Sequence, residues 1–540
     1  MHRLLRLRFC KCRNFVRAVP LARYSTTTKV SAKHTTPNWD EDDSLFTFTR
    51  GRFVYDEDRQ MAQRTVRFSM NELARVAASS IGADRCVDVQ KCPDGLYNKA
   101  YVFRMDDGRE VIGKVPNPNA GLPHYTTASE VATMDFMRSA LSTPTPKVLA
   151  WNSRAESTPV GAEYIIMEKA EGVPLGRVWD SLGAPEKAKL LFQTYRFMRA
   201  WLTNPLPGYG GLYYKDDVPS ERSLPELECD RGPWSSALEY RRAVGAREQA
   251  AVRHLPGDIK QLIMLTGPGL YQPSPSKKLW ALNAYLQVLE HVLPKASDPD
   301  AQAMLPARLW HDDLHAENIF VDPANPTQIT AVIDWQSTQA APLFDHSMDP
   351  AFLDYEGPDI GDDFSKPIHP NTTGLPEDEK RAAVAEYLDR GLMIAWRRLI
   401  HKSNPAQHQT LAFQDTTAGD ILQIARRCYE LGEDHLAVLI ISDLRDAWPP
   451  SGSPFPVILT PEEEDRIKRE ADEADKGGSL VMQSMKQLGD RWPEKGLVEH
   501  DKYEETKGLL TYVRDEIAEQ CFGDDEVARR GFLRGWLFDT

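Results

Sequence analysis

Four polar side chains, His311, Asp313, His315 and Asn318, fall within eight residues, between the apolar runs Leu309–Trp310 and Ile319–Val321. That pattern predicts a polar loop held between two short buried strands. A further carboxylate, Asp334, closes the β-branched run Val332–Ile333, where a strand end would deliver it beside the loop. Phosphoryl transfer from ATP asks for little covalent chemistry from a protein. It needs one carboxylate to take the acceptor's hydroxyl proton and oxygen ligands to hold Mg2+ on the phosphates. Asp313, with His311 in the same loop, fits the catalytic role; Asn318 and Asp334 fit the metal-binding one. His315 reads as a packed, hydrogen-bonded histidine.

Such a loop needs upstream elements that grip the nucleotide. Cys86–Val89 and Tyr101–Met105 read as strands flanking the stretch Pro93–Ala100, a hairpin loop for covering phosphates that holds a single glycine, Gly95, together with Asn98. Asp107-Gly108 makes a hairpin turn, and Glu110–Val115 forms a third strand carrying Lys114. Sixteen residues further on, Glu130 lies in a helical stretch, Ser129–Met137, with Val131, Met134 and Met137 on one stripe. A lysine on the third strand and a glutamate on the next helix form the ion pair that orients nucleotide phosphates in kinases. Glu163–Glu168 reads as a buried strand leading into a hinge at Met167–Ala170, whose backbone would read adenine. Met167 would pack behind the base, and Glu168 and Lys169 would lie alongside it.

The remaining pattern is largely helical. Asn71 reads as the cap of a helix Glu72–Ser79. Ala184–Leu202, Trp234–His254 and Lys277–Leu293 follow, the second inside a variable stretch spanning 203–276. Beyond Asp345, read as part of the scaffold, the expected helices are Glu377–His401, Gly419–Leu431, Asp434–Trp448, Pro461–Asp475, Ser479–Asp490 and Tyr503–Phe522. The fold class expected is α+β.

The totals limit the partners. In 540 residues, 41% are hydrophobic and 27% charged, as in a globular chain. A net charge of −14 argues against a nucleic-acid binder, because a phosphate backbone would be repelled. Seven scattered cysteines form neither a disulfide ladder nor a C-x-x-C metal pattern, and no apolar run is long enough to cross a bilayer. Residues 1–39 lack Asp and Glu altogether and are rich in arginine. That composition, with a Ser/Thr-rich tail, reads as a mitochondrial transit peptide over 1–24, cut after Tyr24 to leave a matrix protein. The expected order is then an extension over 25–80, a small lobe over 81–170, a large lobe over 171–450 and a helical extension over 451–540.

The spacing H-x-D-x-x-x-x-N followed by a strand-borne Asp is protein-kinase-like. Its wording here, His311-Asp-Asp-Leu-His-Ala-Glu-Asn318 with Ile333-Asp-Trp335, resembles the aminoglycoside phosphotransferase and choline kinase branch of that fold. Val66–Met70, Ala128–Thr133, Pro146–Trp151, Val160–Glu168 and Ile333–Gln336 look like the fungal family named altered inheritance of mitochondria protein 9, over most of residues 45–450. The resemblance implies a two-lobe fold, with a small antiparallel-sheet N-lobe and a large helical C-lobe, and a mitochondrial address. With the loop chemistry, it points to an ATP- and Mg2+-dependent phosphotransferase acting on the hydroxyl of a small molecule that the sequence does not name. The glycine-poor phosphate loop keeps a second expectation open, a pseudokinase scaffold. Protein-kinase activity is disfavoured, since Asp334 is not part of a D-F-G motif and no Ala-Pro-Glu follows it.

Overall fold

The computed structural model describes residues 38–218, 223–224, 229–255, 271–353, 355, 357, 360–361, 364–450 and 453–540. The transit segment expected at 1–24 lies outside them.

A short strand β1 (Arg52–Phe53) and helices α1 (Glu57–Arg64) and α2 (Met70–Ser80) precede the main sheet. Helix α2 starts before its expected position because Ser69, not Asn71, is its cap: the Ser69 hydroxyl accepts from the Glu72 amide at 3.3 Å. Asn71 instead accepts from the Trp39 amide at 3.0 Å and holds the incoming chain. Five strands follow: β2 (Cys86–Lys91), β3 (Asn98–Met105), β4 (Glu110–Pro116), β5 (Val148–Asn152) and β6 (Tyr164–Glu168). They form an antiparallel sheet in the order β2-β3-β4-β6-β5, with helix α3 (Tyr125–Ser139) between β4 and β5 in the chain. Strand β3 alternates buried and partly exposed positions along most of its length, the signature of a strand with one covered face. Leu45, Phe46, Met70, Leu73 and Ala77 share one core with Tyr101, Phe103 and Ile166 of the sheet. The boundary expected at residue 81 therefore does not separate two packing units, and much of the expected extension is part of the small lobe.

The large lobe begins with β7 (Val173–Pro174) and α4 (Ala184–Leu202), then the hairpin β8 (Ser223–Leu224) and β9 (Cys229–Asp230). Helices α5 (Ala237–His254), α6 (Pro275–Val292) and α7 (Pro299–Gln302) lead to β10 (Arg308–Leu309), β11 (Ile319–Val321), β12 (Ile329–Val332) and β13 (Ala340–Ala341). β11 lies between β12 and β7, and β10 pairs with β13, so the polar loop is anchored at both ends by strands. Beneath it Trp201, Trp310 and Trp335 are each almost fully buried, with ring centroids 5.5 and 5.8 Å from Trp201 to the other two.

Helices α8 (Glu377–Ser403), α9 (Pro405–Gln414), α10 (Thr417–Ala425), α11 (Cys428–Leu431) and α12 (Asp434–Leu439) complete the lobe. The expected helix Gly419–Leu431 is two helices, because the chain leaves helical geometry at Arg427. The chain ends in α13 (Pro461–Leu488), β14 (Leu497–Val498), α14 (Tyr503–Phe522) and α15 (Glu526–Gly535). Where two helices were expected at 461–490, α13 runs unbroken through Gly477, which is buried in a packed face, and starts from a Thr460–Glu463 capping box. Val481, Leu510, Phe532 and Trp536 of this terminal module pack with Val54 near the start of the described chain. The whole is the two-lobe α+β arrangement expected from the sequence, a small antiparallel-sheet lobe followed by a large, mostly helical one. Among the described residues no helix is long and apolar enough to cross a membrane.

Candidate active site

Lys114 is delivered by β4 to the floor between the lobes. Its ammonium lies 2.7 and 2.9 Å from the two carboxylate oxygens of Glu130 on α3, and 2.9 Å from Oδ1 of Asp334. Gly113 precedes it because the Phe103 ring lies across that position: a Cβ would stand 2.5 Å from the ring. Burial alone would lower the Lys114 pKa, but the two carboxylates outweigh it and hold the ammonium firmly charged. Burial dominates for Glu130, raising its pKa despite Lys114. For Asp334 the burial effect, which raises, is overcome by Lys114, and its carboxyl sits below its ordinary range.

Asp334 follows β12 with φ at +62°, a left-handed conformation rare for a side-chain-bearing residue. Such a backbone costs on the order of 1–3 kcal/mol and persists only where its surroundings enforce it. Here the Ile333 amide donates to the Asn318 carbonyl at 2.9 Å, and the buried Trp335 locks the next position. The Asp334 side chain stays 42% exposed, turned to the cleft.

The loop itself is tightly cross-braced. Asn318 is buried and its amide nitrogen donates to the Asp313 carbonyl at 3.0 Å. Its side-chain oxygen has no partner among the described residues. The Asp313 carboxylate is 62% exposed and lies 3.5 Å from Nε2 of His315, whose Nδ1 accepts from the Glu317 amide at 3.2 Å. His315 is thus hydrogen-bonded but only partly buried. His311 is nearly fully buried, stacked edge-on to Trp335, with Nε2 donating to the Ile333 carbonyl at 2.9 Å. Burial lowers its pKa, leaving it neutral. It therefore ties the polar loop to the strand carrying Asp334, while its ring faces away from solvent.

Sequence reasoning overlooked two braces. Asp312 accepts from the Ser347 amide at 2.8 Å and pairs with Nδ1 of His346 at 3.0 Å, while Nε2 of His346 donates to the Arg308 carbonyl at 2.9 Å. Asp345, read as scaffold, pairs at 2.7 Å with Arg241, and both side chains are almost wholly buried. Arg241 also reaches the Leu422 carbonyl. Neither the His346 nor the Arg241 contact leaves a signal in local spacing.

The nucleotide-side residues are arranged differently from expectation in detail. Asn98 donates to Oε1 of Gln336 at 2.6 Å, and Gln336 in turn donates to the Ala120 carbonyl at 2.9 Å, so the hairpin is tied to the segment after Asp334. The Gly95 amide closes the loop on the Asn98 carbonyl at 3.2 Å. Met167 is buried. Glu168 accepts from the Lys147 amide at 2.9 Å and Lys169 pairs with Glu110 at 2.5 Å, so both side chains are engaged within the small lobe. Any contact of this hinge with a base would come from its backbone.

The donor set suits a hard cation. The free oxygen of Asn318 and the second oxygen of Asp334 would be the oxygen ligands, a donor type that magnesium takes together with phosphate oxygens and water. Among the described residues no group of three or more His, Cys, Asp or Glu is placed to hold a metal, and magnesium does not need one.

Residues 88–345 match the model of the phosphotransferase enzyme family. The subtelomeric hrmA-associated cluster protein of Aspergillus fumigatus is 32% identical over 342 residues, which cover 52% of this chain and 65% of that protein. Altered inheritance of mitochondria protein 9, mitochondrial, of Yarrowia lipolytica is 23% identical over 355 residues, 56% of this chain and 59% of that protein. In both cases the chain spans less than two thirds of the relative's own length. The solved aminoglycoside phosphotransferase APH(4)-Ia is 14% identical, with a TM-score of 0.32 over 66% of this chain and 99% of that one.

Proposed function

With residues 88–345 carrying the pattern of the phosphotransferase enzyme family, we propose that the chain transfers the γ-phosphoryl group of ATP, with Mg2+, to a hydroxyl of a small molecule in mitochondria. The observation that carries this reading is the three-way contact of Lys114 with Glu130 and Asp334, at 2.7 and 2.9 Å, directly beside the Asp313–Asn318 loop. A fixed cation and exposed carboxylates at Asp334 and, in the neighbouring loop, at Asp313 are the parts that phosphoryl transfer would use, which supports the reading.

Lys114, held by Glu130, would clamp the α- and β-phosphates, and the Met167–Ala170 backbone would read the base. Magnesium, held by Asn318 and Asp334, would offset the charge of the phosphate oxygens. Asp313 would orient the acceptor hydroxyl and take its proton as the acceptor oxygen bonds to the γ-phosphorus and the bond to the ADP oxygen breaks. His311 is a positioning residue in this scheme, since it touches only backbone and Trp335. Positioning and fixed charge supply most of the rate. The mitochondrial address rests on the acid-free, arginine-rich start and on the name of the Yarrowia relative.

The test is ATP turnover by the purified chain against a metabolite library, with Asp313→Ala in parallel. Turnover that vanishes in the variant supports the reading; turnover equal in both would sink it. A second reading, a nucleotide-binding pseudokinase scaffold, is favoured by one feature, the phosphate loop with a single glycine whose Asn98 is already committed to Gln336. Mg-ATP binding without turnover of any acceptor would select it.

A further inference from the structure

The phosphate loop lacks the glycines that let a backbone fold around phosphates, yet it is not left loose. At its centre Asp94, almost fully buried, takes Lys91 at 2.7 Å and Lys99 at 3.0 Å, one on each side of the hairpin. The same carboxylate accepts from the amide and the hydroxyl of Thr49, at 2.8 and 3.0 Å. Lys91 and Lys99 also reach the Thr47 carbonyl, and the Tyr101 hydroxyl reaches that of Leu45. The hairpin is thus sewn to a strap of chain at residues 45–49.

That strap continues directly into β1, which pairs with β14 of the terminal module in the register Arg52 to Val498 and Phe53 to Leu497. The Val54 amide donates to Gly496 at 2.9 Å, and the Asp539 amide donates to Val54 at 2.8 Å. The fit is close enough that a side chain at Gly51 would run into the Val498 carbonyl. The module also touches the loop tip itself: the Lys495 ammonium lies 5.9 Å from the Tyr97 ring centroid.

We propose that the C-terminal helical module braces the phosphate loop through the strap and the Thr49–Asp94 junction, making Asp94 and Thr49 positioning residues for nucleotide. This inference rests on the nucleotide-binding reading above. A buried carboxylate satisfied by two ammonium groups, an amide and a hydroxyl has one arrangement open to it, so the loop is held in shape by charge rather than by backbone freedom. Ordering done in advance raises apparent affinity in proportion to the fraction of chains whose loop is already in shape.

The test compares the full chain with Asp94→Asn, Thr49→Val and Gly51→Val, reading Mg-ATP affinity, amide exchange over residues 92–98 in the nucleotide-free protein, and the split between kcat and KM. If Asp94→Asn leaves about a tenth of the loops in shape, affinity falls about tenfold. Thr49→Val and Gly51→Val are expected to shift in the same direction, with faster exchange in the loop, a higher KM for ATP and an unchanged kcat. Should Asp94→Asn or Gly51→Val fail to fold, the near-isosteric Thr49→Val carries the comparison. Wild-type binding matched by folded variants overturns this inference and leaves the phosphotransferase reading standing. Absence of Mg-ATP binding by the wild type overturns both.

Discussion

Lys114 and Asp334 stand 2.9 Å apart, ammonium to carboxylate, one from the sheet lobe and the other from the helical lobe. The contact fixes one Asp334 oxygen and leaves the other for a cation. Asp334→Asn keeps a side chain that tolerates the left-handed backbone while removing the charge. Calorimetric titration with ATP, with and without magnesium, is expected to show affinity in magnesium falling by at least about tenfold, or about 1.4 kcal/mol. The same magnesium dependence in variant and wild type would remove Asp334 from the metal site.

The Asp313 carboxylate is 62% exposed, with the His315 ring 3.5 Å away. Asp313→Ala should lower kcat by about 10²–10⁴-fold, the range for a positioned general base, and leave ATP affinity within a factor of about two. Single-turnover rates beside binding isotherms separate the two effects. Parallel loss of binding would mean that the residue shapes the nucleotide site instead.

His346 should give the fold a pH dependence of definite sign. Burial would lower its pKa, but Asp312 and the Arg308 carbonyl together raise it above the ordinary 6.5. Both ring nitrogens face acceptors, which only the imidazolium can satisfy. A raised folded value means that the stabilisation is complete below the unfolded value and lost as pH rises through the folded one. Melting temperatures between about pH 5.5 and 9 should fall with pH more steeply in wild type than in His346→Gln. Parallel curves would show that the ring is neutral.

Arg241 and Asp345 form an ion pair with both side chains almost wholly out of water. Asp345→Asn strands the guanidinium, and losing one member of a buried pair costs about 3–5 kcal/mol. Denaturant unfolding should show that loss, while the folded fraction binds Mg-ATP as the wild type does. A folded variant with weakened nucleotide binding would move Asp345 from scaffold to site.

What the sequence made legible was whatever periodicity or spacing encodes. The hairpin strands around Asp107-Gly108, helix α4 with its apolar stripe, and the order Lys114, Glu130, Asp313, Asn318, Asp334 were all readable from local pattern; the structure joins Lys114, Glu130 and Asp334 directly and ties Asn318 and Asp313 to them through backbone hydrogen bonds. Helix α9 escaped notice because its buried face is polar: Gln407 is fully buried and donates to the Met348 carbonyl at 2.6 Å. The unbroken α13 was hidden by Gly477-Gly478, since a glycine pair usually signals a stop and only tertiary packing reverses it. The two-residue strands β1 and β14 are too short for any alternation to show. Asp94 drew no reading of its own because Lys99 across the hairpin and Thr49 are set against it only by folding.

The pairing of residues 52–53 with 497–498 also fixes an order of events. The first strand finds its partner only once the chain out to Val498 is present to fold. Until then β1 has no partner strand, and Val54 lacks the apolar side chains that cover it. On the brace proposed above, the phosphate loop takes its final shape only with the end of the chain in place, although it is written near the front of the gene. A chain interrupted between residues 335 and 496 would carry every residue of the catalytic loop and still lack the β14 partner of its first strand.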